Sequence, residues 1–321
     1  MIFSIIIPFY NCESYISETL ENLFNQCTNE VEVILINDGS NDNSINIVNH
    51  HIKYTKVNAR VVTQKNSGVS SARNLGLKLA SGQYIGFLDS DDTLEPLYFE
   101  KIIQAIKKNE PDIVQFNFNY WDSNKYKSGI KLHSGVYQTS SNLLLEIFNW
   151  NSWYPWSRVY KKELFSDISF PLGFTFEDPA VIPFLFIKSK KILILDDYLY
   201  NYRENLSSIT RGKDKEKIYK NMLSLDNLLN TYCKQKNDLY KICFIHFFRI
   251  YLEYCFLFDG LSGLKLGWDK YKYYYFEITE KDRALIKSKA GNLFISVRYL
   301  SYFSYFIMKI ASNTMSLLKR V

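Results

Sequence analysis

Asp89, Asp91 and Asp92 place three carboxylates within four residues, directly after the apolar run Tyr84-Ile85-Gly86-Phe87-Leu88. Like charges this close repel and raise one another's pKa, and a hard divalent ion with oxygen ligands relieves the crowding. The pattern therefore predicts a magnesium or manganese site. A second reading fits the same residues: Asp and Thr are good helix N-caps, Pro suits a first turn, and the acidic turn would then introduce a helix starting near Glu95-Pro96. Taken alone, the cluster leaves both open.

The elements that must position it tip the balance. Val31 to Ile36 and Ile2 to Ile7 read as two more buried strands, ending in Asn37-Asp38-Gly39-Ser40 and Pro8-Phe9-Tyr10-Asn11. Helix-like stretches follow the strands at Glu13 to Gln26, Asn43 to Tyr54 and Ser70 to Leu79, with further apolar periodicity from Leu97 to Ile106. Such βα alternation predicts an α/β fold with a mostly parallel sheet covered by helices on both faces. Sheets of this kind bind ligands beyond the carboxyl ends of their strands, where Asp38 and Asp89 to Asp92 would sit. A nucleotide bound through a metal fits this better than isolated helix caps.

Four segments in order carry a resemblance: Ser4 to Asn11, Ile36-Asn37-Asp38-Gly39-Ser40, Asn66-Ser67-Gly68-Val69-Ser70-Ser71-Ala72-Arg73-Asn74, and Phe87-Leu88-Asp89-Ser90-Asp91-Asp92. Together they resemble the family-2 glycosyltransferases of GT-A (Rossmann-like) fold, over about two thirds of the chain and fading after Thr210. The resemblance implies nucleotide contacts from Pro8, Tyr10, Asn11, Asp38, Arg73, Asp89 and Arg203. It implies Asp91 as the direct metal ligand, with Asp89 near the ribose or a metal-bound water. Asp38 is read as an acceptor for the uracil imide N–H, or else as an Asx-turn residue before Gly39. Arg73 is read near the base or phosphates, or else as a surface ion pair.

A sugar hydroxyl is a poor nucleophile at neutral pH and needs a base within hydrogen-bond reach. Asp178, in Gly173-Phe174-Thr175-Phe176-Glu177-Asp178-Pro179, is the best candidate, since its apolar neighbours would raise a carboxylate's pKa. Similar enzymes carry a Glu-Asp pair here, which implies Glu177 as the acceptor-binding neighbour. Alternatively the pair caps the helical stretch from Ala180 to Ile187, with Pro179 at its first position. Trp150 to Lys162 concentrates aromatic and basic residues suited to a sugar ring, with Trp156 as the expected acceptor contact or a core tryptophan. Tyr200 to Thr210 resembles a loop that folds over the diphosphate, with Arg203 touching phosphate.

The 321 residues are 47% hydrophobic, enough for one large domain with an extension or for two domains. Aromatics reach 17%, with 25 Tyr and 23 Phe, a composition that suits sugar-stacking and membrane interfaces as well as cores. Cys12, Cys27, Cys233, Cys243 and Cys255 form no Cys-x-x-Cys pair, and His50, His51, His133 and His246 are not spaced with them for zinc. Reduced cytosolic thiols are the expectation. The N-terminal apolar run lacks a basic region before it and a cleavage pattern after it, so no export signal is expected.

After Thr210 the alternation gives way to helical patterns, across the charged run Arg211 to Lys217. Ile242 to Phe258 is apolar except for the stripe His246, Arg249 and Glu253, which suits a core helix or one facing lipid. Between Asn292 and Lys319, Arg298, Ser301, Tyr305 and Lys309 share one face while Leu300, Phe303, Phe306 and Ile310 share the other. From Ala284 to Val321 six residues are basic and none acidic, equal to the +6 net charge of the whole chain. This pattern suits an anionic membrane surface, or a helix packed on the catalytic domain or in a homodimer.

The expectation is therefore an inverting, metal-dependent glycosyltransferase. Residues 1–210 would form the catalytic domain, its nucleotide half about 1–95 and its acceptor half about 96–210, and residues 211–321 a helical region with a membrane-associating tail. The resemblance and the tail imply a UDP-sugar donor, an Mn2+ or Mg2+ cofactor and a saccharide acceptor on a lipid carrier. Capsule, exopolysaccharide or O-antigen assembly at the inner face of the cytoplasmic membrane is the matching setting. Lack of a multi-span region argues against a processive synthase. The alternatives are a non-catalytic membrane-bound nucleotide-binding scaffold and a transferase acting on a protein-linked glycan. Nucleic-acid binding is not expected, because the basic excess lies on an apolar pattern and not along a polar groove.

Overall fold

The structure is a computed structural model and describes residues 1–120, 125–127, 133–203, 214–278, 282, 285 and 286. These fall into two compact units, one from Met1–Ile147 and Ser152–Ser207, the other from Phe148–Asn151 and Ser208–Val321.

In the first unit, β1 (Phe3–Phe9), β2 (Val31–Asn37), β3 (Asn58–Thr63) and β4 (Tyr84–Phe87) form a parallel array in the order β3-β2-β1-β4. β1 and β2 are buried along their whole length, as their largely apolar sequences require, with Ser4, Glu32 and Asn37 the polar residues carried inside. Burying each large aliphatic side chain contributes about 1.5–3 kcal/mol. The one charge in β2, Glu32, is buried too; its carboxylate accepts from the Ser4 and Ser81 hydroxyls and the Ser81 and Gly82 amides, and Arg60 pairs with it at 3.2 Å. Helices α1 (Ile16–Phe24), α2 (Ser44–Tyr54) and α3 (Val69–Leu79) connect these strands.

Beyond β4 the sheet turns mixed. β5 (Thr93–Leu94), α4 (Tyr98–Asn109), β6 (Ile113–Tyr120), β7 (Lys125–Lys127), β8 (Gly135–Gln138), α5 (Ser141–Trp150), β9 (Arg158–Lys161), α6 (Ile182–Lys188) and β10 (Lys191–Tyr202) follow in sequence. β9 lies antiparallel between β4 and β6, and β10 runs parallel to β6. The expected α/β class holds, and the parallel character belongs to the first four strands and to the β6–β10 pair. The acidic turn does not cap a helix: Thr93 and Leu94 pair with β10, and α4 starts only after Leu97, which has a left-handed φ of 69° and no side-chain cap.

The second unit is helical, with α7 (Lys215–Cys233) packed against α8 (Leu239–Glu277). α8 breaks at Asp259 and Gly260, where Gly260 adopts φ 57° and ψ −138°, a conformation open to glycine. Its two arms fold back on one another: Phe248 stacks on Trp268 at 5.8 Å and Tyr251 meets Tyr271 edge-on at 5.6 Å. The Ile242 to Phe258 stretch is therefore a core helix, with Phe244, Phe248 and Leu252 buried. Among the described residues no helix is long and apolar enough to cross a membrane. The expected tail helix from Asn292 to Lys319 lies outside the described residues.

Candidate active site

The carboxyl ends of β1, β2 and β4 lie together, as the register Ile6↔Ile34 and Ile6↔Phe87 requires. Pro8 is buried where β1 runs past its last β4 pairing, so its missing N–H costs no ladder bond on that side. Tyr10 is exposed, and Asn11, at φ 47°, accepts from the Asn41 amide while its own amide donates to Ser40 Oγ. The Asx turn belongs to Asn37, whose Oδ1 accepts from the Ser40 amide at 2.9 Å. Asp38 instead fastens the loop before α3: Oδ1 accepts from Gln64 Nε2 at 2.7 Å and the Ser67 amide at 2.8 Å, and Oδ2 from the Gly68 amide at 2.8 Å. A carboxylate offers about four acceptor sites, so one remains.

The acidic turn after β4 is held from the far strand. The Tyr200 hydroxyl accepts from the Asp89 amide at 3.2 Å and donates to Asp92 Oδ2 at 2.6 Å, and the Arg203 amide donates to Asp92 Oδ1 at 2.7 Å. Asp92 is thus an internal brace. Burial, reinforced by the Asp89 and Asp91 charges, pushes its carboxyl well above the usual range. Arg203 donates through Nε to the Asp91 carbonyl at 2.8 Å, pairs with Glu18 at 2.6 Å and covers the Tyr15 ring at 5.3 Å. The loop residues that follow it, 204–210, lie outside the described residues.

Asp89 and Asp91 are the carboxylates of the turn left partly exposed. Burial raises Asp89, with Arg73 opposing and Asp91 adding to the shift. Among the described residues no group of three or more His, Cys, Asp or Glu could hold an ion alone. Two carboxylates suit a magnesium or manganese ion that takes its other ligands from phosphate and water, so the residues present fit the expected metal.

Arg73 is buried, contrary to the surface-pair alternative. Its guanidinium contacts Glu177 and Asp178 at 2.9 Å each and Asp89 at 3.5 Å, above the rings of Phe87 and Phe170. One cation thus gathers three carboxylates from two distant stretches of chain. Asn74, the next residue on α3, fixes the approach of the second stretch by exchanging hydrogen bonds with the Phe170 backbone at 2.7 and 2.9 Å. Asp178 is pushed well above the usual range by burial, with Arg73 pulling it down and Glu177 and Asp89 pushing it up. Neither side chain of the pair caps α6. The Asp178 carbonyl accepts from the Val181 and Ile182 amides, and the proline in the first turn is Pro183, not Pro179.

Trp156 is a core residue, 3% exposed, which leaves it no open ring face for a sugar. It lies nearly parallel to Tyr154 at 4.9 Å, Tyr200 at 4.4 Å and Tyr202 at 5.4 Å, with Phe118 edge-on at 4.8 Å. Of the tyrosines parallel to it, Tyr154 is the one 42% exposed. Arg158, fully buried and missed from the sequence, fastens this loop by donating to the Ser152 and Tyr154 carbonyls and to Ser157 Oγ. A cavity of about 1060 Å³ lined by Ile2, Lys78, Gln83, Lys161 and Phe165 opens at the other end of β1 and β4, away from these carboxylates. Asn74 also lines it, but Arg73 and the site carboxylates do not.

The profile of glycosyl transferase family 2 matches residues 4–174. The chain belongs to this family. An uncharacterized glycosyltransferase, EpsJ, of Bacillus subtilis is 34% identical over 216 residues, 64% of this chain and 62% of that protein. The chain thus spans less than two thirds of that relative's length. The solved structure of S. aureus TarS 1-349 in complex with UDP-GlcNAc aligns with a TM-score of 0.70 at 21% identity, over 95% of this chain and 89% of that one. The mannosyltransferase PcManGT from Pyrobaculum calidifontis, in complex with GDP-Man and Mn2+, aligns at 0.54 and 14% identity, over 93% and 87%. These likenesses establish the GT-A fold. The family-2 match includes Asp38, Arg73, Asp89 and Asp91 and stops short of Glu177 and Asp178, which Arg73 joins to it.

Proposed function

We propose that this family-2 chain is an inverting glycosyltransferase that moves a sugar from a UDP-sugar to a saccharide acceptor on a lipid carrier, in bacterial cell-surface polysaccharide assembly. The observation that carries the reading is the single Arg73 guanidinium on Glu177, Asp178 and Asp89, which sets a base candidate beside the donor-side carboxylates. The Asp178 carboxylate takes the proton of the acceptor hydroxyl as its oxygen bonds to the anomeric carbon. The bond from that carbon to the diphosphate breaks, its electron pair leaving with the nucleotide. A single displacement from the face opposite the leaving group inverts the anomeric centre. Asp91, with Asp89, would hold a divalent metal whose charge stabilises the departing diphosphate. Arg203 adds a cation beside the turn, and Glu177 orients acceptor hydroxyls.

Asp38 keeps one acceptor site for a base imide N–H, and exposed Tyr10 offers a ring to stack on the base, above the turn shaped by Pro8 and Asn11. The bound UDP-GlcNAc of TarS and the bound Mn2+ of PcManGT support a uridine donor and a metal. The basic, apolar pattern near the C-terminus supports a lipid-linked acceptor at the inner face of the cytoplasmic membrane. The test is nucleotide release from a panel of UDP-, GDP- and dTDP-sugars, with manganese or with chelator. Release from a UDP-sugar that chelator abolishes is expected. No release from any donor would overturn the reading, and release undiminished in chelator would make the acidic turn structural.

A further inference from the structure

Tyr200 is fully buried on β10, and its two ends face different halves of the site. A buried tyrosine hydroxyl needs a partner, and this one has two. It accepts from the Asp89 amide at 3.2 Å and donates to Asp92 Oδ2 at 2.6 Å, so it grips both ends of the turn in which Asp91 lies. The Asp92 amide closes that turn onto the Asp89 carbonyl at 3.2 Å. Fixing the Asp89 peptide fixes the direction in which its carboxylate leaves the backbone. The ring of Tyr200 lies 4.4 Å from Trp156 and 13° from parallel to it, the closest of the stacked pairs in this cluster. Trp156 belongs to the loop that Arg158 fastens and that presents Tyr154.

We infer that Tyr200 is a positioning residue that joins the two half-sites: its hydroxyl holds the acidic turn in the shape that presents Asp89 and Asp91, and Trp156 holds its ring. Phenylalanine would fill the same space but leave the Asp89 amide and the Asp92 carboxyl each short of a buried partner. The turn is then free to tilt its carboxylates away from a shared ion. Trp156, buried and closed to a sugar, acquires a role as the surface that sets the height of Tyr200 over the turn.

The inference rests on the donor-binding reading above, and the test needs no acceptor. UDP affinity is measured calorimetrically for wild type and Tyr200→Phe, once with Mn2+ and once with chelator, alongside the melting temperature. Tyr200→Phe should weaken UDP binding about tenfold with Mn2+ and leave binding in chelator unchanged. A purely structural role would instead lower the melting temperature and leave the two affinities alone, or move both by the same factor; either result overturns the inference. Trp156→Leu should weaken Mn2+-dependent UDP binding about threefold, with Trp156→Phe between it and wild type. Unchanged affinity in folded Trp156→Phe and Trp156→Leu proteins would remove Trp156 from the assignment. A wild type that binds no UDP in either condition would remove the donor reading itself, a result distinct from a variant that binds as well as a competent wild type.

Discussion

In the role proposed for it, Asp178 could act as a base only while ionised, and its surroundings pull in opposite directions. Burial raises its pKa first, Arg73 lowers it, and Glu177 and Asp89 raise it again, with the net shift upward. The ionised fraction therefore grows as pH rises through a value above the ordinary carboxylate range. Turnover should show an acid limb at a higher pH than an exposed aspartate would give, measurable as kcat/KM against pH. Asp178→Asn should lower kcat about a hundredfold or more while UDP affinity stays near wild type. Full activity in that variant would transfer the base role elsewhere. At this scale the sequence exposed the residue types but not their partners. Asp91, Asp178 and Arg73 stand out by motif, whereas the brace role of Asp92 depends on Tyr200 and Arg203, more than a hundred residues away. The sequence leaves Trp156 open between acceptor contact and core for the same reason, since an aromatic-rich loop looks alike whether its rings face a sugar or one another; its burial decides for the core.

At the scale of elements, the central strands and their helices were legible because β1 and β2 are mostly apolar, each with a run of three or more consecutive aliphatic residues. β3 was not, because its residues are half-exposed and carry no clean alternation, and β5 was hidden because two residues paired to β10 leave no periodicity. The tight packing of α3 on β1 yields a prediction. A Cβ added at Gly76 would meet Ile6 Cγ2 at 2.4 Å, and Ile6 is fully buried. Gly76→Ala gains about 1 kcal/mol of helix propensity but overpacks a core contact that costs about 1–3 kcal/mol. The net should be a loss of stability, read as a lower urea midpoint, with Arg73 displaced enough to weaken activity as well. An unchanged midpoint would mean that α3 slides freely on the sheet.

The helical unit carries a pH dependence of its own. Burial, aided by the nearby Arg249 charge, lowers His246 from 6.5 to about 4. A lowered folded value means that the unfolded chain takes up the proton first. The contribution of neutral His246 is thus complete above 6.5 and is lost as pH falls toward about 4. The urea midpoint followed by helical circular dichroism should fall across that window, and His246→Gln should flatten this part of the fall. Equal slopes in the two proteins would assign the loss to the carboxylates alone.

For the molecule as a whole, the basic excess belongs to a run of sequence whose basic residues lie outside the described residues. The residues proposed for catalysis all precede Arg211, while the +6 net charge of the chain is matched by the run from Ala284 to Val321. An anionic bilayer attracts nearby Lys and Arg at about 1 kcal/mol each, and apolar burial adds to that attraction. Truncation before Gly291 should therefore release the protein from anionic vesicles and spare donor hydrolysis. Replacing Phe303 and Phe306 with Ser should weaken vesicle binding in the same direction, since lipid charge alone would then have to hold the segment. Neutral vesicles should bind the full chain weakly, and raising the salt concentration should release it from anionic ones. A segment that serves instead to complete the protein's own packing predicts the opposite pattern. The truncated chain would aggregate or melt early, and the full-length chain would stay free of vesicles at physiological salt. That outcome would withdraw the main support for a lipid-linked acceptor while leaving Asp91, Arg73 and Asp178 with the roles assigned to them, because those roles depend on contacts made entirely within the first unit.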